Sequence, residues 1–320
     1  HGVFRRQRQM CIRDSSMWVA DMDFRAPKII QEKLHKINSH GIYGYYGDYK
    51  EYNNSIKWWM KNRHNWEIDT SWIFTTHGLV NGTGLCIDAF TKPGDGIILF
   101  TPVYYQFSNL VEAARRKVVE CPLKLIDNHY HFDFVAYERN LSGDEKMVIL
   151  CSPHNPGGRV WTKNELQEVA KFAKKHNLVL VSDEIHHDLV YPNKNHTVMP
   201  IADPSVCDRL VMMTATTKTF NIAGAHSGNV IISNPNLRQN FSQRIKALGI
   251  SPNSFGLFMA TAAYSPEGAQ WLDELLHYID GNRVIFDKEV NKIPGLSSMP
   301  LEGTYFCLLY TSDAADERLR

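Results

Sequence analysis

The stretch KMVILCSPHNPGGRVWTKNELQEVAKFAKKHNLVLVSD, residues 146–183, decides the fold of this chain. It begins with an apolar, β-branched run (146–152) and ends with a second one (178–183). A helical pattern begins between them at Thr162, and Glu165 three positions later completes the signature of a capping box. The stretch therefore predicts a strand, a helix and a second strand.

The same alternation continues along most of the chain. Nearly continuous apolar strands that alternate with helices are typical of an α/β fold, in which a mainly parallel central sheet has helices on both faces. Ligands of such sheets bind outside the carboxyl ends of the strands. The other predicted strands are 72–76, 96–101, 117–121, 209–215 and 228–233.

The pattern changes from about Pro252, where two helices and a short strand are predicted. We interpret this part as the beginning of a second, smaller α/β domain that is truncated. The expected division is an N-terminal segment of the small domain (16–40), a large domain (41–259), and a linking helix with the start of the C-terminal small domain (260–306).

The two ends, 1–15 and 307–320, have no helical or strand period and meet their neighbours abruptly. We interpret both as tails of foreign sequence, such as adapter read-through, with disordered termini as the alternative. Both are left out of the predicted fold.

Composition excludes several classes of protein. Apolar residues make up 43% and charged residues 22%, as in ordinary globular proteins. A net charge of +1 gives no field that attracts nucleic acid or an anionic membrane, and no apolar run is long enough to span a bilayer. The six cysteines form no CxxC pairs, which favours a reducing, cytoplasmic location over a disulfide framework.

Four polar motifs lie where predicted strands end. They are HGLVNGTG (77–84), NPGG (155–158), Asp183 and Lys218. A single lysine at the end of a strand is more often only solvated. Because all four motifs lie at carboxyl ends of strands, we expect one ligand to contact them together.

The segment VSDEIHHDLVY (181–191) contains five potential metal ligands within six positions. Metal sites usually show spaced ligands, and consecutive residues on a strand point to opposite faces, so His186 and His187 are not expected to share an ion. We predict no metal site there and assign the segment one essential carboxylate, Asp183.

These motifs, in this order, resemble the fold-type I pyridoxal-phosphate (PLP) enzymes, the class I and II aminotransferases and their relatives. The closer resemblance is to the cystathionine β-lyase branch, called MalY/PatB-like. It extends over residues 17–306 and implies a PLP-dependent transferase-like fold. The motifs that carry it are MWVADMDF (17–24), HGIYGYY (40–46), PGDGIILFTPVYYQF (93–107), CSPHNPGGRVWTKNEL (151–166), SDEIHHDLVY (182–191) and KTFNIAG (218–224).

The resemblance assigns residues to the cofactor ring. It implies that Lys218 binds the PLP aldehyde covalently and is the catalytic residue, while Asp183 pairs with the pyridine nitrogen. Asn155 matches the residue that hydrogen-bonds the ring hydroxyl, and His186 is expected near the same hydroxyl. Tyr104 matches the aromatic residue that stacks on the ring.

The resemblance also assigns the phosphate group and a partner. Backbone N–H groups of Gly78, Leu79 and Val80 are expected to bind the phosphate at a helix N-terminus. Thr217 is expected to add a hydroxyl. Tyr45 matches a tyrosine that reaches the phosphate of the neighbouring subunit, which implies a homodimer.

Two departures from the family pattern bear on function. Many aminotransferases have an arginine eight residues after the lysine, and here that position is His226, a weaker and pH-dependent phosphate partner. The β-lyase branch often lacks this arginine, so the lyase is favoured. The arginine that binds the substrate carboxylate in the family lies beyond 303–306, so we expect the chain to be a fragment with impaired activity.

We therefore expect α,β-elimination from cystathionine or a related S-substituted cysteine, with release of a thiol, pyruvate and ammonia. The backbone around Ala20 is expected to contact the amino-acid substrate. An aminotransferase is the first alternative, because the same cofactor residues serve both reactions. A regulatory or binding protein with the same fold is the second alternative, and a metal hydrolase is disfavoured by the ligand spacing.

Overall fold

A computed structural model describes residues 20–311 of the chain. Its central feature is a seven-stranded sheet with the strand order β1-β9-β8-β7-β6-β2-β3. The strands are β1 Ile73–Thr76, β2 Gly96–Leu99, β3 Lys117–Glu120, β4 Lys124–Ile126, β5 His129–His131, β6 Glu145–Cys151, β7 Val179–Asp183, β8 Leu210–Thr214, β9 Gly228–Ile231, β10 Leu296–Ser298 and β11 Leu309–Thr311.

Two helices precede β1, and the others lie between the strands or after the last strand of the large sheet. They are α1 Lys28–His40, α2 Lys50–His64, α3 Leu79–Phe90, α4 Gln106–Ala113, α5 Phe134–Asn140, α6 Lys163–Lys175, α7 Met199–Ala202, α8 Thr216–Thr219, α9 Pro235–Ala247, α10 Ser254–Ala263 and α11 Pro266–Val290. Within the described range, no helix is both long and apolar enough to cross a membrane.

All seven predicted strands form this sheet, and the prediction that it is mainly parallel is confirmed. Only β9 runs against its neighbours, because it pairs antiparallel with both β1 and β8. The remaining neighbours in the sheet pair in parallel. Their carboxyl ends consequently meet at one edge, where the polar motifs lie.

The stretch that decided the fold forms β6, α6 and β7, as predicted. The capping box is present, since the Glu165 N–H donates to Thr162 Oγ1 (3.2 Å) and the Thr162 N–H donates to Glu165 Oε2 (2.8 Å). In the parallel register of β6 and β7, Cys151 lies beside Asp183. The last residue of β7 is thereby held at the edge of the sheet.

The apolar core consists of two clusters, one on each face of the sheet. Alternate residues of β6 show the division: Val148 and Leu150 belong to one cluster, and Met147 and Ile149 belong to the other. Side chains that alternate between buried faces explain why the strand sequence is apolar throughout. Helices on both faces are therefore confirmed.

The end of the described chain continues in a strand past the predicted boundary at residue 306. The two helices expected after Pro252 are α10 and α11, and β10 follows them. Strand β11 pairs antiparallel with β10, so 307–311, which the sequence analysis left out as foreign, pack into the fold. Those residues lacked a recognisable period because the strand has only three residues. The predicted tail 1–15 and the rest of the predicted C-terminal tail, 312–320, lie outside the described residues.

Candidate active site

A cavity of about 540 Å³ lies at the carboxyl ends of the parallel strands. Its lining includes Lys218 and the side chains that were predicted to contact the cofactor ring. Ala20 and the residues 78–80 at the start of α3 line it as well. The structure thus brings together the sequence-predicted residues Tyr104, Asn155, Asp183, His186, Thr217 and Lys218.

Asp183 ends β7 inside this cavity. The residue is 5% exposed, and its Oδ1 accepts a hydrogen bond of 3.1 Å from the Ile185 N–H. Burial raises the pKa of Asp183 to about 7, because a carboxylate is poorly stabilised away from water. A cationic N–H group in the cavity would stabilise the ionised form, so this position suits a protonated ring nitrogen.

Lys218 lies in the short helix α8, directly after β8. Its Nζ donates a hydrogen bond of 2.7 Å to the carbonyl oxygen of Ala20. Burial lowers the pKa of Lys218, because the charged ammonium loses hydration. A lysine amine that deprotonates more easily is better suited to attack a carbonyl group or to accept a proton.

His186 contributes a neutral imidazole to the same cavity. Burial is the main reason that its pKa is lowered, to about 3, and the charge of Lys218 adds to the shift. Its buried Nδ1 has no hydrogen-bond partner among the described residues. Buried polar atoms normally have a partner, so the unpaired Nδ1 makes His186 a candidate to bond a polar group of a ligand.

The N-terminus of α3 forms another side of the cavity. Gly78 precedes the helix with φ +84°, a conformation that L side chains rarely adopt. The first N–H groups of a helix have no partner within it, and the helix dipole adds positive potential there. The turn is therefore suited to an anion such as a phosphate. Thr217 and His226 line the same cavity.

His187 and Asp188 lie apart from the cavity. Strand β7 ends at Asp183, and the residues 185–188 form a turn. The expectation that His186 and His187 point to opposite faces of a strand therefore did not apply. The two histidines are nevertheless separated. His187 is buried, and its Nε2 lies 3.1 Å from Asp188 Oδ2. One ligand atom each of His64, His187 and Asp188 lie within 4.8 Å of one another.

Tyr45 does not line the cavity. It is fully exposed and borders a separate surface recess of about 460 Å³. Other exposed apolar side chains nearby are Ile42, Tyr43 and Phe255. The role expected for Tyr45 requires a second subunit.

Sequence reasoning missed the apolar part of the lining. Phe306 reaches the cavity from the segment before β11, and Cys151 and Ile185 reach it from the carboxyl ends of the parallel strands β6 and β7. Apolar residues carry no chemical signature, so only the packing identifies them as lining residues. The signal for Ile185 was its position two residues after a strand-ending carboxylate.

Residues 20–320 match the family "Aminotransferase class I and II". Cystathionine beta-lyase PatB of Bacillus subtilis (strain 168) is 38% identical over 268 residues, which are 83% of this chain and 69% of that protein. Protein MalY of Escherichia coli (strain K12) is 31% identical over 296 residues, 91% of this chain and 75% of that protein.

A solved structure is similar as well. Cystalysin from Treponema denticola, which contains a pyridoxal 5'-phosphate cofactor, superposes with a TM-score of 0.87 at 38% identity, covering 94% of this chain and 79% of that one. The family match covers the whole described range and agrees with the sheet topology and with the cavity. The chain therefore belongs to the class I and II aminotransferase family.

Proposed function

We propose that this chain is a PLP-dependent carbon–sulfur β-lyase that cleaves cystathionine or related S-substituted cysteines to a thiol, pyruvate and ammonia. The observation that carries the proposal is the meeting of Lys218, Asp183 and the N-terminus of α3 in one cavity. The relatives PatB of Bacillus subtilis and cystalysin of Treponema denticola support the reaction class and the cofactor.

The chain's residues suit PLP at both ends of the cavity. Asp183 would hold the pyridine nitrogen, because its buried carboxylate gains from a cationic partner. The N–H groups at Gly78, Leu79 and Val80 would hold the phosphate, with the hydroxyl of Thr217 beside them. Bound PLP supplies an electron sink for the negative charge that develops at the substrate Cα.

Three residues would complete the ring site. Asn155 and the unpartnered Nδ1 of His186 would contact the ring hydroxyl. Tyr104 would stack on the ring, and its position at the cavity wall is consistent with this role. These assignments follow the order of the sequence motifs, and each side chain contributes to the same cavity.

Lys218 would carry out the proton transfers. Its amine would hold the cofactor before substrate binds and would then take the proton from the substrate Cα. The thiolate leaves from Cβ with the electron pair of the C–S bond, and hydrolysis of the remaining three-carbon unit gives pyruvate and ammonia. The lowered pKa of Lys218 favours the neutral amine that these steps require.

Absorption spectroscopy and product analysis test the proposal. Purified protein with added PLP is expected to show the visible band of lysine-bound PLP, and Lys218→Ala is expected to lose it. Lys163→Ala, at an exposed lysine at the start of α6, is the matched control and keeps the band. An equal, reducible band in Lys218→Ala would show that the wrong lysine was chosen.

The reaction type requires a separate assay. Cystathionine without any 2-oxo acid is expected to yield pyruvate at a rate proportional to the bound PLP. An absolute requirement for a 2-oxo acid would contradict the lyase and favour the aminotransferase. Bound PLP without either reaction would favour a binding protein with this fold.

The proposal includes a homodimer in which Tyr45 reaches the neighbouring subunit's phosphate site. The exposed Ile42, Tyr43 and Tyr45 support it, since they border one recess and contiguous exposed apolar patches mark protein–protein interfaces. Mixing Lys218→Ala subunits with Tyr45→Ala subunits is expected to recover activity. In each mixed dimer, one site combines the unchanged Lys218 of one subunit with the unchanged Tyr45 of the other. Sedimentation as a monomer, or no recovery after mixing, would contradict the shared site.

We also propose that the protein is cytoplasmic. For the domains, we propose the division at 16–40, 41–259 and 260–306. The cysteines of the described range are all free, which supports a reducing compartment. The fold of the residues 41–259 around one sheet supports the large domain.

A further inference from the structure

Asn221 holds a distant part of the chain by three hydrogen bonds. Its side-chain Nδ2 donates to the carbonyl oxygens of Met22 (2.6 Å) and Phe24 (2.7 Å). Its Oδ1 accepts a hydrogen bond of 3.1 Å from the Met22 N–H. One amide side chain thereby binds both backbone polar groups of Met22, which lies 199 positions earlier in the chain.

The segment that Asn221 holds, residues 20–24, begins at the cavity. Ala20 lines it, and its carbonyl oxygen accepts the 2.7 Å hydrogen bond from Lys218 Nζ. The Tyr305 hydroxyl donates to the same oxygen at 3.3 Å. At the other end of the segment, the Phe24 ring packs edge to face on Tyr278, with 5.3 Å between the ring centroids.

The structure assigns to Asn221 the role of a positioning residue that fixes the residues 20–24 over Lys218. Because Asn221 and Lys218 lie three residues apart, movement of the lysine turn and movement of the segment are coupled through these hydrogen bonds. The Ala20 carbonyl then keeps a fixed position as acceptor for the lysine amine. The effect of Asn221 on catalysis rests on the proposed function, whereas its hydrogen bonds to Met22 and Phe24 do not.

The chemistry of the side chain explains why an asparagine is needed. Only an amide side chain of this length offers an N–H₂ donor for two carbonyls and an oxygen acceptor for an N–H. An aspartate keeps the acceptor but places a charged oxygen against the carbonyls of Met22 and Phe24. Asn221 also has a left-handed backbone (φ 54°), which asparagine tolerates better than most residues.

The main variant is Asn221→Gly, because glycine accepts the positive φ and removes only the side-chain hydrogen bonds. Asn193→Gly is the matched control, since Asn193 has φ 70° and is exposed. Asn221→Asp is the second variant, which keeps the acceptor but is not expected to restore the function. Circular dichroism and thermal melting verify that each variant is folded.

Hydrogen exchange of the protein without added PLP tests the contact. The Met22 amide is expected to exchange at least about 10-fold faster in Asn221→Gly than in the control, because its acceptor is removed. Reductive methylation of Lys218 is expected to become faster as well, since its amine loses a fixed acceptor. Unchanged exchange at Met22 in folded Asn221→Gly would overturn the proposal.

Kinetics of the PLP-loaded protein test the positioning role. The kcat/KM for elimination is expected to fall about 10-fold or more in Asn221→Gly, mainly through kcat, because a small misplacement of a reacting group is costly. Faster exchange with kcat/KM within about 2-fold of the control would overturn the role. If Lys218→Ala retains bound PLP and activity, the proposed function fails, whereas the exchange result at Met22 still decides the contact.

Discussion

The hydroxyl of Thr219 donates a hydrogen bond of 2.9 Å to Oδ2 of the buried Asp188. The other oxygen of that carboxylate accepts from Trp59 Nε1 at 3.0 Å and lies 2.9 Å from His64 Nε2. Thr219 follows Lys218 directly, so this carboxylate anchors the turn that carries the lysine. The anchor lies behind the cavity and does not line it.

Replacing the anchor is expected to destabilise the whole fold. Burial opposes ionisation of Asp188, but His187 and His64 hold its pKa well below the ordinary value. Asp188→Asn removes the charge and leaves His187 without its partner, so we expect a loss of about 3 to 5 kcal/mol in the free energy of unfolding. Urea unfolding measures this loss. Asp208→Asn, at an exposed carboxylate, is the control and is expected to cost at most about 1 kcal/mol. An equal effect of both variants would show that the anchor contributes little.

The pKa of Asp183 predicts a pH dependence of stability in protein without PLP. Burial raises it from 3.8 to about 7, so the folded state binds the proton more tightly than the unfolded state. The resulting stability is complete below about pH 4 and is lost as the pH rises through about 7. Asp183→Asn is expected to remove this loss and to be more stable than the unchanged protein at pH 8.

Thermal melting at pH 5 and pH 8 measures this difference, and saturation with PLP is expected to reduce it. The gain at pH 8 should amount to a few kcal/mol at most, since one pKa unit corresponds to about 1.4 kcal/mol. Asp144→Asn, at an exposed carboxylate, is the control. The same pH dependence in Asp183→Asn and the unchanged protein would contradict the assignment.

Gly228 is expected to control the shape of the anion site. A Cβ at this residue would lie 2.6 Å from Leu79 Cδ2, 2.9 Å from the carbonyl carbon of Gly78 and 3.1 Å from the Leu79 N atom. Gly228→Ala must therefore displace the turn that begins α3, and we expect PLP affinity to fall about 10-fold or more. Titration with PLP, followed by absorbance, measures the change.

Gly281→Ala is the matched control for that experiment. No atom lies within 4 Å of a Cβ built at Gly281, which is in the interior of α11. Alanine is the better helix former by about 1 kcal/mol, so this variant is expected to gain stability with unchanged PLP affinity. Normal affinity in Gly228→Ala would contradict the placement of the phosphate at α3.

Glu302 is expected to hold the segment before β11 against the loops that follow β6 and β7. Its Oε2 accepts from Arg159 Nε and the Val160 N–H, both at 2.9 Å, and its Oε1 accepts from Lys194 at 2.6 Å. Burial opposes ionisation, but these contacts hold the pKa of Glu302 below its ordinary value. Its stabilisation is therefore present above about pH 4.5 and is lost as the pH falls through the folded-state pKa.

Glu302→Gln is expected to cost about 2 to 3 kcal/mol at pH 7, because Arg159 remains buried with fewer partners. Urea unfolding at pH 7 measures this cost, and the difference from the unchanged protein should shrink in acid. Glu267→Gln, at an exposed position near the start of α11, is the control. A constant difference between pH 7 and pH 4 would contradict the role of the charge.

The sequence alone determined the class of fold and predicted the polar residues that gather at the cavity. Strand and helix periods are local, so β6, α6 and β7 and the cap at Thr162 could be identified from neighbouring residues. The resemblance supplied the roles proposed for Lys218 and Asp183 through the order of the motifs. Cavity residues at strand ends were predictable because parallel strands carry their carboxyl ends to one edge.

Only the tertiary structure decided which distant residues support that site. Asp188 meets His64 and Trp59 across 124 and 129 positions, and Asn221 meets Met22 across 199 positions. No local period encodes such a pairing, because each depends on how helices and loops pack against the sheet. The reversed direction of β9 and the short pair β10–β11 were also decided by packing. The sequence specifies the reactive groups, and the long-range contacts fix where those groups point.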